Sequence, residues 1–174
     1  MATPSAEPGP TLPAVPSVEE GTLPPAGQEE ARRVLGEARD YLDSGRPQEA
    51  SERALVVIER YPQSSGSGEA LEILARASLA LEDFQGAASA SERYLSLFDP
   101  DDQLFGGAAV LAGEALSRNG QPFSGLQVLL SIPQEAPPDA LSEAMALVKE
   151  LAQQVTFSEL QELNLHPSTA PTFK

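Results

Sequence analysis

Residues 28–62 read QEEARRVLGEARDYLDSGRPQEASERALVVIERYP, and this stretch decides the fold. In its first half Ala31, Val34, Leu35, Ala38 and Leu42 recur at the i, i+3, i+4 spacing of an amphipathic helix, with acids in the opening turn and Gly45 at the stop. Pro47 then suits a first helical turn, where no N–H is required of it. Ala50, Ala54, Val57 and Ile58 continue the period until Pro62 ends it. Two helices joined by the short SGR turn must fold back on each other, so the segment predicts a helix hairpin.

The same grammar recurs downstream. SSGSGEALEILARASLALED carries Ala70, Leu71, Leu74, Ala75 and Leu79 inward, with Ser67 as the expected cap and a break at Glu82-Asp83. FQGAASASERYLSLF follows and stops at Asp99-Pro100. A third pair runs from DDQLFGGAAVLAGEALSRNG, closing on Asn119-Gly120, to PFSGLQVLLSI before Pro133. Residues 138–154 predict a longer helix, and Thr156 with Glu159 has the spacing of a capping box that opens a last short helix, FSELQELN. No alternating stretch is long enough for a strand. The expected fold class is all-α.

The hairpins repeat. Ala38, Ala75 and Gly113 lie 37 and 38 residues apart, and so do Ala50, Ala87 and Gly125, small residues where paired helices must approach closely. On this register Ala90 aligns with Arg53 and is expected in solvent. The pattern resembles tetratricopeptide (TPR) repeats, carried best by Ala38, Tyr41, Gly45, Ala50 and Pro62 of the first pair, then by Ala75 and Ala87, and most weakly by Gly113, Gly120 and Gly125. The intervals exceed the family's length of about 34 residues, and no repeat carries its Trp. The resemblance implies antiparallel helix hairpins stacked as a short right-handed solenoid over 28–165.

Outside that domain, residues 1–27 hold seven of the sixteen prolines and no aromatic residue, so they are expected to form a disordered Pro/Ala-rich tail. Residues 166–174 are expected to be a flexible C-terminal tail. Composition removes whole classes of chemistry. The net charge of −15 disfavours nucleic acid, whose phosphates need clustered Lys and Arg, and disfavours anionic lipid surfaces. No cysteine is present, and the one histidine, His166, lies in the expected tail, which leaves neither a thiol nucleophile nor a His-based triad or metal site on the helices. No stretch is apolar over the ~20 residues that a membrane-spanning helix needs. Scattered Glu and Ser on helix faces make no catalytic constellation, so no enzyme activity and no cofactor or metal are expected.

A narrower resemblance rests on the order of segments: the Pro/Ala-rich lead, hairpins joined by RYPQSSGSGEAL, then LLSIPQEAPPDALSEAMALVKELAQQVTFSELQEL. Over roughly 28–171 this is similar to the N-terminal helical region of bacterial periplasmic lipoproteins of the penicillin-binding-protein activator type. It implies a periplasmic or outer-membrane-attached accessory region; the sequence carries no lipid-accepting cysteine and no α/β domain of the kind that follows in that family. A spacer that orients a separate periplasmic-binding-like domain, and a cytoplasmic TPR adaptor, stay open as alternatives.

In TPR-like pairs the first helices line the concave side, and function is expected there. The register aligns Arg32 with Glu69, Leu35 with Glu72, and Arg39 with Arg76 and Glu114, with Arg118 a turn further along. An arginine-bearing groove accepts the carboxylates of a protein or extended peptide partner through bidentate bonds. The first hairpin concentrates six arginines against eight acids, which makes it the segment best suited to an acidic partner. Tyr41, Phe84, Tyr94 and Phe105 are expected to pack the hairpins rather than face a ligand.

Overall fold

The computed structural model describes residues 24–156 together with 158, 159, 161 and 163. The expected tail over 166–174, and all of the expected N-terminal tail before Pro24, lie outside the described residues. Among the described residues seven helices are complete, in chain order: α1 Pro25–Asp43, α2 Pro47–Arg60, α3 Ser67–Ala80, α4 Phe84–Leu95, α5 Phe105–Arg118, α6 Pro122–Leu130 and α7 Pro138–Leu151; Ser158, Glu159, Gln161 and Leu163 are helical as well. No strand occurs among the described residues, so the fold is all-α. Helix α1 starts at Pro25, inside the stretch expected to be tail. Proline density argues against helix interiors but not against the first helical turn, which is where Pro25 sits.

Three tight turns join α1 to α2, α3 to α4 and α5 to α6, and they share one geometry. Each places a single residue in the left-handed region: Gly45 at φ 70°, Glu82 at 60° and Gly120 at 76°. In each the next residue's N–H reaches back five residues, Arg46 to Tyr41, Asp83 to Ser78 and Gln121 to Leu116, all at 2.9 Å. This is the Schellman closure of a helix, which satisfies carbonyls that the last turn leaves free. The three left-handed residues are 37 and 38 positions apart, the same spacing as the small residues of the register.

Those small residues lie where helices meet. Ala38, Ala50, Ala75 and Ala87 are fully buried. A Cβ on Gly125 would come within 2.8 Å of the Gly113 carbonyl oxygen, so α5 and α6 cross backbone to backbone. Each helix through α6 packs on the next, α7 packs on both α5 and α6, and α1, α3 and α5 pack in addition on the second helix along. The pairs α2–α4 and α4–α6 make at most marginal contact. Clusters of buried residues therefore span three helices at a time, Val34, Ala54 and Ile73 in the first, Ala75, Tyr94 and Leu111 in the next, Phe105, Leu126 and Ala144 in the last.

Helices with neighbours on both sides are buried beyond their predicted stripe. In α3, Ile73, Ala77 and Ser78 join the expected Ala70, Leu71 and Ala75, and in α5 ten of the 14 residues are buried, making it the centre of the molecule. The same cause corrects Ala90. It is 3 % exposed and packs with Leu71, Ala75, Tyr94, Ala108 and Leu111, because α5 covers the face of α4 that was expected in solvent. Ser67 is the first helical residue of α3 rather than its cap; Gly66 holds the cap position, and Ser67 Oγ donates to the Ser64 carbonyl. The Thr156 capping box forms as read: the Thr156 N–H donates to Glu159 Oε2 at 2.7 Å, and the Glu159 N–H donates to Thr156 Oγ1 at 3.3 Å.

Candidate functional site

Helical periodicity puts Glu69, Glu72 and Arg76 on one strip of α3, and Arg32 and Arg39, seven residues apart, on one strip of α1. The structure joins the two strips. Arg39 Nε donates to Glu69 Oε1 at 2.9 Å, and its Nη2 donates to the same oxygen, tying α1 to α3 across the row of odd-numbered helices. One turn along, Arg76 Nε donates to Glu72 Oε1 at 2.9 Å, while the Tyr94 hydroxyl from α4 donates to Glu72 Oε2 at 3.2 Å. On α5, Arg118 approaches Glu114 at 3.5 Å. Arg32 is exposed and has no carboxylate partner among the described residues.

Three of the four candidate arginines thus already hold a carboxylate of this chain. A partner would have to exchange for those internal bonds rather than meet bare guanidinium groups. Such exchange costs little, because pairs between exposed side chains are worth about 0.2–1 kcal/mol each. Leu35 does not belong to the row. It is 6 % exposed, and its Cδ2 lies within 2.6 Å of where a Cβ on Gly66 would sit, so it packs α1 against the loop between α2 and α3. Its place on the apolar stripe decides its direction, and the alignment with Glu72 compares only positions along the chain.

Tyr94 does more than pack. Its ring meets Phe98 edge-on at 5.1 Å, as expected of a hairpin aromatic, while its hydroxyl enters the charged row. Burial first, then the adjacent Glu72 carboxylate, pushes the phenol up to about 12. No sequence signal marks this contact, since Tyr94 and Glu72 are 22 residues apart on different helices. Tyr41 has the Arg46 guanidinium over its ring at 4.6 Å, outside the row.

Among the described residues, two of the four buried serines spend their hydroxyl protons on the helix backbone, while the buried Ser64 Oγ has no hydrogen-bond partner. Ser91 Oγ donates to the Ala88 carbonyl and Ser51 Oγ to the Gln48 carbonyl. A cleft of about 480 Å³ lies between the loops before α5 and α7, with Asp101, Asp102 and Glu135 on its rim. No group of metal-ligating side chains suited to an ion occurs among the described residues, and no described helix is long and apolar enough to cross a membrane. Compared with known proteins, the chain matches no family model and no curated protein.

Proposed function

We propose that this protein is a non-catalytic, TPR-like interaction module whose hairpins stack as a short right-handed solenoid and whose odd-numbered helices present a charged row to an extended peptide segment of a protein partner. One observation carries the reading. Odd-numbered helices pack on their second neighbours and even-numbered ones at most marginally, as expected where a stack curves toward its odd-numbered layer. A concave face built this way offers Arg32, Arg39, Glu69, Glu72, Arg76 and Arg118 in succession. The alternating signs suit a polar, extended segment, whose backbone and side chains exchange for weak internal pairs. Its segment order, similar to that of penicillin-binding-protein activator lipoproteins, supports a cell-envelope setting for such a module.

The test is a display selection of random peptides on the full chain, followed by titration of the tightest binders. Binding should weaken with salt and fall about tenfold in Arg39→Glu, close to 1.4 kcal/mol. Arg60→Glu makes the same charge change at an exposed site on an even-numbered helix and should bind as the parent does. Equal losses in the two variants would reduce the effect to bulk charge and reject the row. Failure to select any peptide would favour a spacer role instead.

A further inference from the structure

Away from the odd-numbered row, α2 and α4 make at most marginal contact, and the gap between their C-terminal ends is open over the start of α3. The cleft offers about 190 Å³. Its walls are apolar, with Ile58 from α2, Leu71 from α3 and Leu97 just past α4, and Leu97 is 54 % exposed. Arg93, in the last turn of α4, is the charged residue that lines it.

Hydrogen-bond accounting singles out that guanidinium. Ser67 and Ser96 also line the cleft, but Ser67 Oγ donates to the Ser64 carbonyl at 3.0 Å and Ser96 Oγ to the Arg93 carbonyl at 2.7 Å. Both hydroxyl protons are used. Arg33, Arg39, Arg46, Arg53, Arg76 and Arg118 each hold a carboxylate of the chain, whereas Arg93, like Arg32 and Arg60, holds none among the described residues, and of these three it alone lines the cleft. In a chain of net charge −15, an arginine without a carboxylate beside an exposed leucine is an unmatched donor next to unmatched apolar surface.

Size and charge together define the occupant. A cavity of roughly 150 Å³ accommodates a benzene-sized group, so this volume takes one large apolar side chain and not a helix or a strand. Arg93 lines the same small cleft, so an occupant that carries its anion close to its apolar side chain engages both. We infer that the cleft between α2 and α4 binds the C-terminal residue of a partner polypeptide, with its apolar side chain between Ile58, Leu71 and Leu97 and its terminal carboxylate on Arg93. A carboxylate accepts both forks of a guanidinium, which makes the contact directional as well as attractive. This site stands apart from the odd-numbered row, and neither depends on the other.

The experiment titrates the isotope-labelled full chain with a short glycine-serine peptide ending in leucine, as the free acid and as the C-terminal amide. The free acid should shift the backbone resonances of Gly68, Leu71 and Leu97, and the amide should bind about tenfold or more weakly. Arg93→Gln should lose the same factor, with its fold verified by circular dichroism. Lys149→Gln, an equal charge change on α7, should bind as the parent does. Equal binding of acid and amide, no binding of either, or an unaffected Arg93→Gln variant would overturn the assignment. So would an amidated peptide with an internal leucine-aspartate pair that binds as well as the free acid, since the cleft would then read a side-chain carboxylate. Arg39→Glu should leave this titration unchanged, which separates a failure here from a failure of the charged row.

Discussion

Tyr94 shows how one side chain links packing to charge. Its phenol is buried against Phe98 and donates to Glu72, and both features favour the neutral form. The folded value is raised, so native Tyr94 holds its proton more tightly than the unfolded chain does. Its contribution to stability is complete below about pH 10, the ordinary tyrosine value, and is lost as pH rises toward about 12. Glu72→Gln removes the repelling charge but not the burial. Tyr94 should then titrate lower, yet still above an ordinary tyrosine, when followed through its ring carbon NMR shifts. An unchanged titration would show that the carboxylate is not coupled to the phenol. Individual residues also mark what sequence could not show. The direction of Leu35 follows from its own stripe, but the burial of Ala90 depends on α5, which is local to α4 in space and not in pattern. The pairing of Arg39 with Glu69 is likewise invisible, because surface charge has no periodicity that names its partner.

The helices and turns were readable because each is written in local chemistry. Helix periods, Pro at first turns and the SGR and RNG breaks identify α1 to α7, with ends set to within a few residues by fraying and by prolines that can open a helix as well as stop one, while the expected last helix FSELQELN is only partly among the described residues. Glu82 is the exception that the turn geometry exposes. Gly45 and Gly120 occupy the left-handed position at no steric cost, whereas Glu82 holds it with a Cβ, at about 1–2 kcal/mol. Glu82→Gly should therefore raise stability by about 0.5–1 kcal/mol, after the greater chain entropy of glycine is set against the relieved strain. Gly45→Ala should lower it by about as much or more. Urea midpoints at constant slope check both. If Glu82→Gly destabilises, the side chain makes a compensating contact that outweighs its backbone, and the three turns are not equivalent.

Across the whole chain the dominant electrostatic fact is imbalance, with 26 acids facing 11 basic residues. Seven ion pairs among the described residues use six arginines, so most acids have no cation left to meet. The pairs act at contact distance, well inside a Debye length of about 8 Å at physiological ionic strength, whereas unmatched acids repel one another over longer spans. Added salt therefore screens the repulsion more than the attraction. Exposed pairs worth only about 0.2–1 kcal/mol each cannot reverse that balance. The urea midpoint should rise as sodium chloride goes from about 10 mM to about 150 mM, with most of the change at the low end, where the screening length shortens fastest in absolute terms. Urea suits the measurement because it adds no charge of its own. A falling midpoint would mean that the ion pairs outweigh the repulsion, and that the contacts tying α1 to α3 contribute more to holding the hairpins together than their exposure implies.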